Sequence, residues 1–273
     1  APTFIIPKKN GTVRFISDFR ELNKRIKRKP FPIPKISTVL QELQGFTYAT
    51  ALDLNMGYYT IRLDPDASKL CTIILPWGKY SYARLPMGVA GSPDLFQSKM
   101  SALMANLEYV RTYLDDLLIL SKGTFDDHLE KMVKVFERLR EAGLRVNAAK
   151  STFATDEIEY LGYILSRAGI KPQPEKVQAI LAINPPKNVK ELRKFLGIVQ
   201  YYRDLWEKRS EMLAPLTNLV SDCGVTKTTK QKGTVKAPWY WDEKHQQAFE
   251  NVKAMIARDV VLAYPNFKEE FVI

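Results

Sequence analysis

Apolar positions fall into two rhythms along this chain, and two adjacent carboxylates interrupt one of them. In Val110-Arg111-Thr112-Tyr113-Leu114-Asp115-Asp116-Leu117-Leu118-Ile119-Leu120 the apolar residues are β-prone, and the Asp pair sits in the middle. Asp is depleted inside strands and favoured in tight turns, so the run predicts a hairpin with strands at 109–114 and 117–121 and the carboxylates at its tip. A second β-prone segment, Tyr48-Ala49-Thr50-Ala51-Leu52, ends in Asp53. Beyond it Tyr59, Ile61 and Leu63 alternate, which predicts that the strand resumes. Phe4-Ile5-Ile6 and Val13-Arg14-Phe15-Ile16 flank Asn10-Gly11 and predict a hairpin near the start; further strands are expected within 159–165.

The other rhythm is helical. Pro30, Pro32 and Pro34 enforce an extended connector, followed by a helix at 37–44 with Val39, Leu40 and Leu43 inward and Gly45 as its stop. Ser92 as N-cap and Pro93 at the first position open a helix whose stripe is Phe96, Met100, Leu103, Met104 and Leu107. A helix at 126–142 places Leu129, Met132, Val133, Phe136 and Leu139 inward and stops at Gly143. From Pro174 the pattern is helical, at 175–183 and 189–206. The second of these opens on Asn188 and Glu191 at capping-box spacing, with Val189, Leu192, Leu196, Val199 and Tyr202 on one side. Residues 221–237 read as a linker, 242–257 as a last helix, and Phe271-Val272-Ile273 as the beginning of a strand.

Charge changes the picture more than composition does. With 273 residues, 45% of them hydrophobic, the chain can bury a sizeable core, and its net charge of +11 is unevenly spread. Lys8, Lys9, Arg14, Arg20, Lys24, Arg25, Lys27, Arg28 and Lys29 face only Asp18 and Glu21 in the first thirty residues. Such a cluster suits nucleic acid or nucleotide phosphate, although a solvated face would explain any one member. Lys190, Arg193, Lys194 and Arg203 lie largely off the apolar stripe of their helix, fit equally for a duplex backbone or for solvent. Cys71 and Cys223 lack zinc-site spacing and read as free thiols in a reducing compartment; His128 and His245 read as structural. No apolar run approaches the roughly 18 to 20 residues of a membrane span, so a soluble, intracellular protein with no membrane partner is expected. The Asp pair alone is as well explained by a turn. With Asp53 added, three carboxylates from two neighbouring strands form a hard-oxygen set suited to Mg²⁺.

Six stretches in order carry a resemblance. They are Asp18-Phe19-Arg20-Glu21-Leu22-Asn23-Lys24, Leu52-Asp53-Leu54 with Gly57-Tyr58, and Arg84-Leu85-Pro86-Met87-Gly88 with Ser92-Pro93 and Phe96-Gln97. Tyr113-Leu114-Asp115-Asp116, Tyr160-Leu161-Gly162-Tyr163, and Phe195-Leu196-Gly197 with Tyr201-Tyr202-Arg203 complete them. Together they resemble the reverse transcriptase of gypsy-like long-terminal-repeat retrotransposons over essentially the whole chain.

The resemblance implies an α+β right-hand polymerase: fingers at 1–28 and 61–91, palm at 29–60 and 92–167 as an antiparallel sheet packed on helices, thumb helices at 168–220, then linker and connection at 221–273. It implies RNA-directed DNA synthesis on RNA/DNA and DNA/DNA template-primers from deoxynucleoside triphosphates. Asp53, Asp115 and Asp116 match the family's catalytic, metal-holding carboxylates. Two Mg²⁺ ions about 3.5 to 4 Å apart, replaceable by Mn²⁺, would serve the primer hydroxyl and the leaving pyrophosphate. Asp115 is expected to be the closer ligand. Lys150 matches the lysine that protonates pyrophosphate, Tyr58 the steric gate against a 2′ hydroxyl, and Arg14 with Lys8 or Lys9 the triphosphate-binding fingers residues. Met87 stands where retroviral enzymes carry Gln and would pack against substrate. Leu161, Gly162 and Tyr163 match the primer grip; Arg20, Lys190, Arg193 and Lys194 are the expected nucleic-acid contacts.

The family has further fingers sequence before the stretch matching Ala1, and the chain is expected to lack it. Phe271-Val272-Ile273 resembles the first strand of a ribonuclease H domain, short of that domain's first catalytic Asp, so no ribonuclease H activity is expected. The element would act in the cytoplasm, within retrotransposon particles. Two other readings compete: an RNA-dependent RNA polymerase, against which Tyr58 and Tyr113-Leu114 argue, and a catalytically silent nucleic-acid-binding relic, against which the three intact carboxylates argue.

Overall fold

The computed structural model describes residues 1–8, 11–43, 45–205, 209–223, 238–258 and 262–264. Lys9, the greater part of the 221–237 linker and the strand expected at 271–273 lie outside the described residues. The chain divides into two compact units, residues 1–42 with 46–158, and residues 43–45 with 159–273.

The first unit opens with the expected hairpin, β1 (Thr3–Pro7) paired antiparallel with β2 (Val13–Ser17). Two short helices follow, α1 (Arg20–Asn23) and α2 (Ile36–Gln41), then β3 (Tyr48–Asp53). The strand expected at 59–63 does not form. Met56 takes a left-handed φ of 53°, Gly57–Thr60 is a 3-10 helix, and Thr60 Oγ1 donates to the Gly57 carbonyl at 2.6 Å. Only a single bridge, Arg62 to Arg84, recovers β character, so the alternation of Tyr59, Ile61 and Leu63 reported burial and not a strand.

A helix missed by the pattern, α3 (Pro65–Leu70), begins on Asp64, whose side chain accepts from the Asp66 amide. β4 (Thr72–Leu75) and β5 (Gly78–Ser81) form a second small hairpin. In α4 (Ser92–Leu103) Ser92 is a helical residue, not the N-cap: its hydroxyl donates to the Pro86 carbonyl at 2.9 Å and ties the helix to the preceding loop. β6 (Val110–Tyr113) and β7 (Asp116–Ser121) make the carboxylate hairpin, followed by α5 (Phe125–Glu141) and β8 (Thr152–Thr155).

β6, β7, β3 and β8 line up in that order in one antiparallel sheet. Three consecutive apolar residues of β7, Leu117, Leu118 and Ile119, are completely buried and Leu120 half-buried, as befits a central strand covered on both faces. Leu52, Phe96, Met100, Val110, Leu117, Ile119, Met132, Val135 and Leu139 share one core, so α4 and α5 both pack on the sheet. Helix α5 is turned relative to expectation. Met132, Val135 and Leu139 face inward together with His128, while Leu129 and Val133 are exposed. The reason is polar: Thr50 Oγ1 lies 2.8 Å from His128 Nε2 and Ser121 Oγ lies 2.9 Å from Nδ1, so an imidazole with both nitrogens satisfied can occupy the core.

β9 (Glu157–Tyr160), whose last two residues open the second unit, forms a sheet with β10 (Tyr163–Ser166) and β11 (Gly169–Pro172) in the order β11-β10-β9. The helices α6 (Pro174–Leu181), α7 (Val189–Val199), α8 (Arg209–Cys223) and α9 (Glu243–Ala257) follow. The Asn188 cap holds as expected, its side chain accepting from the Glu191 amide at 2.9 Å. The helix expected to reach 206 stops earlier, at Val199, and continues as a 3-10 segment, Gln200–Leu205, kinked at Tyr202. Helix α8 falls in the stretch expected to be thumb helices, although the apolar pattern outlines no separate helix there, and it accommodates Pro215 in its interior. Phe195 and Phe249, 4.6 Å between ring centroids, centre the helical core with Leu216, Leu219 and Val252.

Candidate active site

β3 and β7 pair in a register that sets Asp53 directly opposite Asp116, so both carboxylates stand on one face at the same end of the two central strands. The turn between β6 and β7 is two residues, Leu114 and Asp115, with Leu114 in a left-handed conformation at φ 52°. Asp116 therefore begins the strand, and of the two carboxylates Asp115 is the one in the turn. The Asp115 carbonyl accepts from the Leu54 amide at 3.0 Å, which binds the turn to the chain leaving β3.

One residue holds this turn from beneath. Gln97 on α4 is 1% exposed, accepts from the Leu114 amide at 2.7 Å through Oε1, and donates through Nε2 to the carbonyl and hydroxyl of Thr112, both at 3.2 Å. The motif Phe96-Gln97 carried the resemblance, yet the pattern assigned Gln97 no role. An amide beside a core stripe was the available signal.

The three carboxylates repel one another across a half-dry site. Burial, then Asp116, then Asp53 push the Asp115 carboxyl up to about 6, and Lys150 only partly offsets them. Asp116 is raised in the same way, by burial and Asp53. Asp115 Oδ1 is buried without a hydrogen-bond partner, turned toward Gly57, where an added Cβ would come within 2.9 Å of it. An orphaned carboxylate oxygen among like charges is the chemistry that a hard cation relieves, and three carboxylates are a donor set that fits one. Among the described residues no three such side chains stand close enough together to form a finished cation cage.

Lys150, at the end of a 3-10 turn (Ala148–Lys150), reaches Asp53 Oδ2 at 3.5 Å while remaining largely exposed. The strand end that carries Asp53 is anchored from the same segment. The Asn147 amide donates to the Asp53 carbonyl at 2.8 Å, and the Asp53 amide donates to Ser151 Oγ at 3.1 Å. Tyr58 is buried, its ring tilted against Phe96 at 5.0 Å, and burial with the nearby Asp115 charge pushes its hydroxyl up to about 12. Gly57 is required here, because a Cβ would meet the Phe96 ring at 2.5 Å.

The remaining expected residues are more scattered. Lys8 and Arg14 are exposed at the β1–β2 end, where the Gly11 amide donates to the Lys8 carbonyl at 3.1 Å. Part of the basic cluster is committed to the protein itself: Arg20 forks onto Asp18 at 2.6 to 3.0 Å, Lys24 meets Glu21 at 2.6 Å, and Arg28 meets the buried Asp94 at 2.6 and 2.9 Å. Arg20 thus contributes a partly neutralised guanidinium, and its fork holds the Asp18 carboxyl down to about 2. Met87 is exposed on a loop clamped by Asn23, whose side chain donates to the Gly88 carbonyl at 2.9 Å and accepts from the Ala90 amide at 2.8 Å. Asn23 also carried a motif without an assigned role.

In the second unit, Leu161 and Gly162 form the two-residue turn between β9 and β10, and Tyr163 begins β10. Lys190, Arg193 and Lys194 are exposed on α7, the last two beside a cavity of about 620 Å³ lined by Lys176, Ile180, Ile198 and Tyr201.

An antiparallel sheet with carboxylates at the end of its central strands, backed by helices, is the palm arrangement of the right-hand polymerase fold. The family model described as reverse transcriptase (RNA-dependent DNA polymerase) matches residues 6–165. The chain belongs to that family. Among its relatives, the retrovirus-related Pol polyprotein from transposon opus of Drosophila melanogaster is 35% identical over 99% of this chain and 27% of its own length. The transposon Tf2-3 polyprotein of Schizosaccharomyces pombe is 33% identical over 100% of this chain and 20% of its own. The chain thus spans about a quarter of the first relative and a fifth of the second. Among solved structures, the foamy viral protease-reverse transcriptase in complex with dsDNA is 25% identical with a TM-score of 0.87, over 98% of this chain and 54% of that one. The same viral protein in complex with an RNA/DNA hybrid gives 0.78 at 25% identity, over 96% and 34%.

Proposed function

We propose that the chain is the polymerase segment of a long-terminal-repeat retrotransposon reverse transcriptase, extending a DNA primer on an RNA or DNA template. The observation that carries this is the register placing Asp53 opposite Asp116, with Asp115 beside them, raised and lacking a partner for Oδ1. Asp53, Asp115 and Asp116 would hold divalent cations, Mg²⁺ in the first place, which when bound supply Lewis-acid stabilisation of the attacking and leaving oxygens. The protein's own part is positioning. Gln97 fixes the turn that carries Asp115; Lys150 is poised to deliver a proton to the leaving pyrophosphate. Tyr58, buried against the Phe96 ring, would deny space to a 2′ hydroxyl, so that deoxynucleotides are selected by exclusion. Lys8 and Arg14 would hold the triphosphate, with Met87 packing beside it. The Leu161–Gly162 turn would meet the primer terminus, and Lys190, Arg193 and Lys194 the duplex backbone. The foamy viral complexes with duplexes support the template-primer as partner.

The test is incorporation of deoxythymidine triphosphate on an RNA template with a DNA primer, with and without Mg²⁺, beside Asp115→Asn. Metal-dependent incorporation lost in the variant is expected. Salt-sensitive binding of template-primer without incorporation would leave only a binding fragment. In the same assay Tyr58→Ala should admit ribonucleotides, and unchanged sugar discrimination would remove the gate.

A further inference from the structure

The turn between β9 and β10 is strained in a way its neighbours explain. Leu161 and Gly162 both stand at positive φ, 47° and 81°. Glycine adopts this freely; leucine crowds its own Cβ, so the conformation persists only where the surroundings over-determine it. Those surroundings are three tyrosines. The Tyr201 hydroxyl donates to the Leu161 carbonyl, and the Tyr202 hydroxyl reaches the Gly162 carbonyl at 3.5 Å. In the other direction the Tyr163 hydroxyl donates to the Tyr201 carbonyl at 2.8 Å. Tyr163 stacks on Tyr201 with ring centroids 5.5 Å apart, and Tyr202 sets its edge against both, at 5.5 and 5.1 Å. A Cβ on Gly162 would lie 2.7 Å from the Tyr201 hydroxyl, so that hydroxyl fills the space the missing side chain leaves. Tyr202 is buried, and its hydroxyl, pushed up to about 12, stays protonated as a donor at neutral pH.

We propose that Tyr201, seconded by Tyr202, is a positioning residue of the polymerase reaction: its hydroxyl holds the Leu161 carbonyl and thereby aims the Leu161–Gly162 turn at the primer terminus. This rests on the reading of that turn as the primer grip. The kink at Tyr202 acquires a purpose on this account. Ending α7 at Val199 and continuing as a 3-10 segment brings two successive tyrosines to two successive carbonyls. Aim matters to the chemical step more than to binding, since misplacing a reacting group slows reaction without weakening nucleotide capture.

The experiment compares Tyr201→Phe, Leu161→Ala and their double variant in single-nucleotide incorporation on a DNA primer, using the full chain and checking the fold by circular dichroism and thermal melting. Phe keeps the ring stack and deletes one donor. The expected result is a kcat lowered about tenfold, with the KM for deoxynucleotide and the affinity for template-primer within about twofold of the parent. The Leu161→Ala defect should add little to that of Tyr201→Phe, because both act through one turn. A folded Tyr201→Phe protein at parental kcat, with Leu161→Ala slow, would overturn the positioning role while leaving the turn at the primer. Parental kcat in both variants would remove the primer-grip reading and the proposal with it. A Tyr201→Phe defect confined to nucleotide KM would also overturn it.

Discussion

Two tight turns, one in each unit, force a leucine into the left-handed region, Leu114 at φ 52° and Leu161 at φ 47°. They are held by opposite means. Leu114, itself half-buried, is gripped from the core side by the amide of Gln97, which is 1% exposed and makes three hydrogen bonds to the hairpin. Leu161 is gripped near the surface by the hydroxyl of Tyr201, which is 40% exposed. A hydrogen bond in a dry core costs much to leave unmade, whereas one near water is replaced by solvent at little cost. The turn that carries the charge is thus tied to the stability of its unit, and the other can loosen without unfolding anything.

The largest effect tests what the first turn carries. Asp115→Asn should abolish incorporation, by at least roughly a thousandfold, and yet stabilise the fold in the presence of a chelator. The carboxyl is raised from 3.8 to about 6 in the fold, so the folded chain binds more protons than the unfolded one between those values. Its contribution to stability therefore falls as pH rises through that window, and the penalty is complete above about pH 6. Discounted for partial exposure, its removal should stabilise by about 1 to 2 kcal/mol at pH 7.5 and by nothing near pH 3.5, read by urea denaturation. Destabilisation at pH 7.5 would show that the charge is not strained.

Next comes the grip itself. Gln97→Leu leaves the Leu114 amide and the Thr112 carbonyl without their side-chain partner and should destabilise by about 2 to 4 kcal/mol, whereas Tyr201→Phe should lose no more than about 1 kcal/mol. Equal losses on thermal melting would erase the contrast between the turns. Gly162→Ala falls between, since φ of 81° and the approach to the Tyr201 hydroxyl should together cost about 1 to 2 kcal/mol.

The smallest effect is an acid titration. Burial lowers the His128 pKa below its ordinary 6.5, so the imidazole is neutral in the fold while the unfolded chain takes up a proton near 6.5. The stability it supplies is complete above that pH and lost as pH falls, about 1 kcal/mol or less at pH 5.5. Asp115 drives the opposite trend below pH 6, so the loss is best measured in the Asp115→Asn background. A flat profile there would mean that Thr50 and Ser121 do not hold a neutral ring.

Much of this was legible in the residues. The Asp pair inside a β-prone run, Asp53 closing another, the Asn188 cap and the hairpin around Gly11 all follow from periods and capping chemistry that act within a few residues. Locality also explains the misses. The alternation of Tyr59, Ile61 and Leu63 is consistent with a strand, but the left-handed Met56 and the crowding of Gly57 by Phe96 turn the chain before a partner strand can form. Helix α8 is outlined by no capping signal of its own, and it tolerates Pro215 because Leu213, Leu216 and Leu219 are buried along it.

What the sequence by itself determined is most of the strands and helices, the carboxylate hairpin among them, and which residue types could do chemistry, because side-chain period and charge are properties of neighbours in the chain. Tertiary structure decided the rest. It chose Asp116 and not Asp115 to face Asp53, turned α5 so that His128 and not Leu129 or Val133 points inward, and brought Gln97 under one turn and Tyr201 over the other. Each depends on contacts between segments 17 to 78 residues apart, which form only once apolar faces and turns have fixed how the elements pack and the buried polar groups have found partners.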